Sequence, residues 1–248
     1  MRLDGKVAFI TGGGSGIGQA TCHAYAQAGA LVYVADINRA AGEATVADIV
    51  KAGGKAQFVE CDVTSDASVL AARDLVNNAH GSADVLVNIA GWSKILPFLD
   101  TDPALWAKLI DLNYTGVLRT VHAFLPAMKE RARGKIVNVS SDAARAGSGG
   151  EAVYSGAKGG VVSFTKAIAR EMARYQINVN CVCPGPTDTP LLASIPDKQR
   201  EAVAKAIPFR RFAKPSEVAD AVLFFGSSRA DYLTGQVLSV SGGLTMVD

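Results

Sequence analysis

Seven short runs rich in apolar and β-branched residues alternate with longer helical patterns along the 248 residues, and no other feature constrains the fold as tightly. The runs are Val7–Ile10, Leu31–Ala35, Ala56–Glu60, Val85–Asn88, Lys135–Val139, Ile177–Val182 and Gln236–Val240. Several are apolar on both faces, which suits strands of a parallel sheet covered by helices above and below. Helical patterns over Gly16–Gln27, Ala40–Lys51, Asp66–Ala79, Pro103–Lys129 and Val153–Tyr175 fall between them. Thr101-Asp102-Pro103 is a strong start for the fourth, with a capping side chain and Pro in the first turn. This alternation predicts an α/β fold, a doubly wound parallel sheet forming a single domain over residues 1–248. The stretch from Pro184 to Arg211 breaks the rhythm with Pro184, Pro186, Pro190, Pro196 and Pro208. Such a segment suits a binding loop, so a lid is expected around 185–212.

Composition removes several alternatives. With 49% hydrophobic and 19% charged residues, neither disorder nor a coiled coil is expected. A formal net charge of +2 is too near neutral for a nucleic-acid footprint. The basic stretches Lys129–Lys135 and Arg210–Lys214 lack interleaved aromatics for stacking bases, so no nucleic-acid partner is expected. The apolar run at Val7–Ile10 is too short for a secretory signal, and no window approaches a membrane span. A cytoplasmic protein with no membrane partner is expected. Cys22, Cys61, Cys181 and Cys183 are scattered without a CxxC or a His cluster, which predicts small buried hydrophobes and no metal site.

The first run leads into Thr11-Gly12-Gly13-Gly14-Ser15-Gly16-Ile17-Gly18, and a helix follows. Glycines spaced as Gly12-xxx-Gly16-x-Gly18 let the backbone turn sharply and approach a pyrophosphate. The helix start at Ser15, Gly16, Ile17 and Gly18 offers it free N–H groups and a partial positive charge. Asp36, followed by Ile37, ends the second run eighteen residues beyond Gly18. A carboxylate there accepts both adenosine ribose hydroxyls and repels a 2′-phosphate, which makes NAD the expected cofactor rather than NADP. Arg39 is close enough to accommodate that phosphate instead. Asp62, followed by Val63, ends the third run within reach of an adenine amino group. Asn88-Ile89-Ala90-Gly91 closes the fourth. All of these lie at the carboxyl ends of predicted parallel strands, where open α/β sheets of the Rossmann type bind ligands.

Tyr154 and Lys158 stand at i and i+4, on one face of a predicted helix. An unperturbed phenol titrates near 10, too high for a base at neutral pH. A neighbouring ammonium and the positive ring of an oxidised nicotinamide both favour the phenolate. Ser141, thirteen residues earlier and just past a predicted strand, is placed to hold a substrate oxygen beside Tyr154.

Together these motifs resemble the short-chain dehydrogenases/reductases from Lys6 to Gly243, through Thr11–Gly18, Asn88–Gly91, Asn113, Ser141, Tyr154-xxx-Lys158 and Pro184-Gly185. The resemblance implies that Tyr154 is the general acid/base, that Lys158 binds the nicotinamide ribose and tunes Tyr154, and that Ser141 orients the substrate oxygen. It implies that Asn113 holds a water linking Lys158 to solvent. It also implies that Thr187 or Thr189, after Pro184-Gly185, meets the nicotinamide carboxamide. Ile89 departs from the family, which usually has a second Asn there. A homotetramer is implied as well. The long helix to Lys129 and the one from Val153 would form a dimer interface, and the Gln236–Val240 region would complete the assembly.

Within the family, the stretches Ser141–Arg145, Gly150–Tyr154, Cys183–Thr189 and Phe224–Met246 are similar to 2-hydroxycyclohexanecarboxyl-CoA dehydrogenases. The expected reaction interconverts a bulky cyclic or aryl secondary alcohol and its ketone. The ring would pack against Trp92, Leu96, Pro186, Leu191 and Leu192, beside Ser141 and Tyr154. Alternatively the substrate is a cyclic hydroxyacyl-CoA, its phosphates met by Lys94, Lys198, Arg200, Arg210 and Arg211. Two further readings are a 3-oxoacyl-carrier-protein reductase, which Asp36 disfavours, and an NAD(H) sensor without chemistry, which the retained Ser141, Tyr154 and Lys158 disfavour.

Overall fold

Strand residues alternate between two apolar layers, so the sheet is the organising element. A computed structural model describes residues 1–193 and 197–247. The strands are β1 (Val7–Thr11), β2 (Leu31–Asp36), β3 (Lys55–Glu60), β4 (Val85–Asn88), β5 (Gly134–Val139), β6 (Ile177–Pro184) and β7 (Val237–Val240). They form one parallel sheet in the order β3-β2-β1-β4-β5-β6-β7. All seven expected strands are present, several a residue or two longer. The order reverses at β1, flanked by β2 and β4, and a crevice opens beyond the carboxyl ends of β1 and β4.

The helices are α1 (Gly16–Gln27), α2 (Arg39–Lys51), α3 (Asp66–His80), α4 (Pro103–Ile110), α5 (Gly116–Glu130), α6 (Ala143–Ala146), α7 (Ala152–Met172), α8 (Pro190–Ala193), α9 (Asp197–Ala206) and α10 (Pro215–Gly226). Val7 and Phe9 of β1 face one layer with α3, α5 and α7, where the rings of Phe9 and Phe124 lie 4.6 Å apart. Ala8 and Ile10 face the other layer, with α1 and α10. Tyr25 of α1 donates its hydroxyl to the Val222 carbonyl of α10 at 3.0 Å, which satisfies a buried polar atom between the two helices. The four cysteines are all buried thiols, as expected for small hydrophobes. No helix is long and apolar enough to cross a membrane among the described residues.

Two helical expectations need correction. The pattern from Pro103 to Lys129 is not one α-helix. A turn of π-helix at Asp111–Thr115 separates α4 from α5. Helix α10 is absent from the helical patterns of the sequence, although its start is well marked. Pro215 occupies the first turn, and the Glu217 carboxylate accepts the Lys214 N–H at 2.7 Å.

A buried polar chain ties the sheet to both long helices of one layer. Thr120 of α5 donates to Asn88 Oδ1 at 2.7 Å, and Asn88 Nδ2 donates to Asn138 Oδ1 at 2.8 Å. Asn138 Nδ2 in turn donates to Thr165 Oγ1 of α7 at 2.9 Å, and Thr165 donates to the Val161 carbonyl. Every member is buried and partnered, so the chain fixes the lateral position of α5 and α7 without an orphaned group.

Candidate active site

The glycine loop closes against the end of β4. Gly12 adopts φ +69°, and a Cβ on it would stand 3.0 Å from the Ala90 backbone. A Cβ on Gly18 would lie 1.9 Å from the Gly12 carbonyl oxygen, so only glycine lets α1 start this close to the loop. Ser15 caps α1 without a side-chain hydrogen bond, which leaves first-turn N–H groups, including those at Gly16 and Ile17, for an anion. Thr11 Oγ1 accepts the N–H groups of Ile89 and Ala90 at 3.0 and 3.2 Å and joins the two strand ends. Thr189 completes the enclosure from far along the chain, its Cγ2 3.2 Å from where a Gly16 Cβ would be.

Asp36 is fixed at the rim of this crevice. Its Oδ2 accepts the Gly14 N–H and its Oδ1 the Asn38 N–H, both at 2.8 Å. Arg39 turns away from it. Its guanidinium bonds Glu43 at 3.0 Å and Glu60 at 2.8 Å, and lies 5.1 Å from the centre of the Phe58 ring. Ile37 stands 66% exposed beside Asp36, an apolar surface at the mouth. Asp62 Oδ1 accepts both the N–H and the hydroxyl of Thr64, while Val63 is buried under the start of α5. The Asn88 side chain is engaged inside the sheet by the polar chain. Ile89 packs into the apolar layer of α1 and α10, which explains how this position tolerates an apolar residue.

Lys158, one turn into α7 beyond Tyr154, is buried, and its ammonium donates to the Val139 carbonyl at 3.0 Å. Burial lowers its pKa to about 8, while the thiols of Cys181 and Cys183 act weakly in the opposite sense. Its Nζ lies 5.9 Å from the Tyr154 ring centre. The Ser140 hydroxyl anchors the same turn by donating to the Lys158 carbonyl at 2.8 Å. Burial is the largest influence on the Tyr154 phenol and pushes it up to about 12. Ser141 draws it down, and Glu151 and Cys183 add to the rise. With the phenol raised in this way, Tyr154 keeps its proton at neutral pH.

The π-helical turn presents Asn113. An extra residue in the turn directs this fully buried side chain at Trp92, whose carbonyl accepts from Nδ2 at 2.8 Å and whose N–H donates to Oδ1 at 3.2 Å. Gly91 is where Asn113 and Lys158 meet. A Cβ there would stand 2.7 Å from Asn113 Oδ1 and 3.3 Å from Lys158 Nζ. Sequence patterns did not reveal the π turn, because periodicity over Pro103–Lys129 is continuous.

Pro184 ends β6, Gly185 follows it beside Asp142 and Ser241, and Thr187 is buried with its hydroxyl donating to the Gly185 carbonyl. Pro186 and Leu192 are partly buried beyond them. The side chain of Leu191, and residues 194–196 of the expected lid, lie outside the described residues. The Trp92 ring lies under the Lys108 ammonium at 4.7 Å. The small cleft that Tyr154 lines is made by Lys94, Leu96, Phe98, Thr101, Leu105, Leu109 and residues 150–153 at the start of α7. Glu151, within that wall, belongs to the Gly150–Tyr154 stretch but has no role assigned by the sequence motifs.

Comparison with known proteins agrees with this geometry. A family model described as enoyl-(acyl carrier protein) reductase matches residues 12–245. A 3-oxoacyl-[acyl-carrier-protein] reductase of Thermotoga maritima is 38% identical over 99% of this chain and all of its own length. A cyclopentanol dehydrogenase of Comamonas is 38% identical over 98% of both chains. A cis-4-hydroxycyclohexanecarboxylate dehydrogenase of Sinomonas cyclohexanicum is 39% identical over 98% of this chain and 97% of its own. Among solved structures, a 3-oxoacyl-[acyl-carrier protein] reductase of Brucella melitensis superposes with a TM-score of 0.93 at 33% identity, covering 98% of this chain and 92% of that one. Similarity over the whole length, joined to the parallel sheet and to Ser141, Tyr154 and Lys158 at its carboxyl edge, places the chain in the classical short-chain dehydrogenase/reductase family of oxidoreductases.

Proposed function

We propose that this oxidoreductase uses NAD to interconvert a bulky cyclic or aryl secondary alcohol and its ketone. The carrying observation is the meeting of Asn113 Oδ1 and Lys158 Nζ at Gly91, with that ammonium 5.9 Å from the Tyr154 ring and Ser141 acting on the Tyr154 phenol. NAD fits the residues present. The Gly12–Gly18 loop takes the pyrophosphate, Asp36 the adenosine ribose, Ile37, Asp62 and Val63 the adenine side, and Asn88, Ala90 and Gly91 the mid-section. Pro184, Gly185, Thr187 and Thr189 close on the nicotinamide side, beside Tyr154 and Lys158. When bound, NAD supplies the hydride acceptor and a positive charge near the phenol. Ser141 and Tyr154 then hold the substrate oxygen, and Tyr154 takes the hydroxyl proton in oxidation and returns it in reduction. Lys158 holds the ribose, and Asn113 positions a water for proton exchange with solvent.

NAD is favoured over NADP because Arg39 is neutralised by Glu43 and Glu60. With Asp36, these four side chains carry a net negative charge where a 2′-phosphate would sit. The same fact weighs against a 3-oxoacyl-carrier-protein reductase, the activity named for two of the similar proteins, which takes NADPH. The ring preference follows the cyclic alcohols in the names of two curated relatives and the apolar cleft. Trp92, Pro186, Leu191 and Leu192 are proposed to border that ring. A hydroxyacyl-CoA substrate keeps Lys94 and Lys198 as exposed cations, but Arg200 is paired with Asp188 and Arg211 with Glu217. Residues around 185–212 act as the lid, anchored where Arg200 bonds Asp188 and the Leu192 carbonyl. A cytoplasmic homotetramer is the proposed assembly, with edge strand β7 and its exposed Leu238 available for pairing between subunits.

The test is NADH formation with matched substrates: ring and aryl alcohols, a cyclic 2-hydroxyacyl-CoA and its free acid. Tyr154→Phe should abolish turnover and leave NADH binding nearly intact. Binding of NADH without turnover of any alcohol would support the sensor reading. Faster NADPH-dependent reduction of a 3-oxoacyl thioester would overturn the assignment.

A further inference from the structure

Glu151 stands directly before α7, three positions ahead of Tyr154. Its two carboxylate oxygens each take one hydroxyl from a different loop, Ser93 on Oε1 at 2.6 Å and Ser148 on Oε2 at 2.8 Å. The same two loops are joined by the Leu96 N–H donating to the Gly150 carbonyl at 2.8 Å, with Gly150 at φ +80°. The carboxylate is thus held in place by neutral donors, which fix its position and leave its charge whole. It shares with Tyr154 a small cleft, open to solvent, whose other walls include Leu96, Phe98, Thr101, Leu105, Leu109 and Val153. Lys94 also lines this cleft, but it is exposed, where solvent screens it. The Glu151 charge reaches the reacting end, since it helps to raise the Tyr154 phenol.

Resting on the dehydrogenase reading, we propose that Glu151 is the specificity-determining residue of the substrate cleft, a fixed negative wall that admits uncharged ring alcohols and excludes rings bearing a free carboxylate. A carboxylate on the ring meets the fixed Glu151 charge beside Tyr154 at close range and is repelled, whereas a thioester of the same acid carries no charge at the ring and is not excluded.

The experiment compares kcat/KM for cyclohexanol and cis-4-hydroxycyclohexanecarboxylate in the wild type, Glu151→Gln and Ser148→Ala. Glu151→Gln keeps the shape and can hydrogen-bond both serines, whereas Ser148→Ala loosens the loop and keeps the charge. The expected result is a neutral-to-anionic ratio that falls by about tenfold or more in Glu151→Gln, mostly through the KM of the anion. That ratio should stay within about threefold of wild type in Ser148→Ala. An unchanged ratio in Glu151→Gln, or an equal collapse in Ser148→Ala, would overturn the role of charge. Should Glu151→Gln fail to fold, raising salt on the wild type from low to high ionic strength should narrow its ratio, and a salt-independent ratio would overturn it too. Should the wild type oxidise neither alcohol, the dehydrogenase reading fails by itself. Quenching of NADH fluorescence by cyclohexanone and by cyclohexanecarboxylate then reads Glu151 separately, and equal affinities would overturn the inference.

Discussion

Asp36→Asn removes one charge from the crevice rim and little else. The carboxylate is held by two backbone N–H groups at 2.8 Å, and an asparagine can keep one of these bonds through its remaining oxygen. A ribose seated on Asp36 would put a 2′-phosphate within about 5 Å of the carboxylate. At an effective dielectric of about 20, each charge pair at that distance is worth about 3 kcal/mol. Asp36 is only half-buried, so screening reduces this to about 2 kcal/mol, or roughly a thirtyfold change in preference. Glu43 and Glu60 still neutralise Arg39 in the variant, so NADP gains no free cation. Steady-state kcat/KM with NAD and with NADP, on whichever alcohol is turned over, should show the ratio falling by about thirtyfold. Glu60→Gln, at an exposed pair, should change it by less than about fivefold. A ratio that moves less than threefold in Asp36→Asn would refute the reasoning, because the carboxylate would then not be the discriminating group.

Two predictions concern stability. Burial lowers Lys158 to about 8, against about 10.4 in an unfolded chain, so between these values the unfolded state binds the extra proton and stability rises with pH. Below pH 8 the buried ammonium costs on the order of 3 kcal/mol. Lys158→Met should therefore lose activity yet resist urea better at pH 7, with a midpoint that rises less than wild type between pH 7.5 and 9.5; parallel rises in both proteins would contradict this. Asn138→Ala leaves the Asn88 Nδ2 donor buried and unpaired and removes the amide that donates to Thr165 Oγ1, at about 3 kcal/mol. A thermal melt should fall by about 6–12 °C, and a fall under about 2 °C would show that the polar chain carries no stability.

Much of the fold is written in local patterns. Strands β1, β4, β5 and β6 are buried on both faces, so they appear as runs dominated by apolar residues, with Asn138, Asn178 and Asn180 among the polar exceptions inside β5 and β6. The crevice is legible for the same reason. Gly12 and Gly18 sit where no other residue fits, and Tyr154 and Lys158 share a face through helical spacing alone. Helix α10 carried a legible start in Lys214-Pro215-Ser216-Glu217, but its apolar Val218, Val222 and Phe225 adjoin other apolar residues, which blurs the helical period. The π turn left no mark, because inserting one residue into a turn hardly alters a hydrophobic period.

The sequence by itself determined the parallel sheet, the glycine loop, the acid at the end of β2 and the Ser141, Tyr154 and Lys158 set, since each depends on neighbours within a turn or a strand. Tertiary structure alone decided which of these groups act together and with what charge. Ser93 reaches Glu151 from another loop, Glu60 of β3 neutralises Arg39 of α2, and Asn88 turns inward to Asn138. Each of these partners is set by strand register and loop approach over tens of residues. Burial likewise sets the titration of Tyr154 and Lys158, and desolvation is a property of the packed molecule rather than of any stretch of chain.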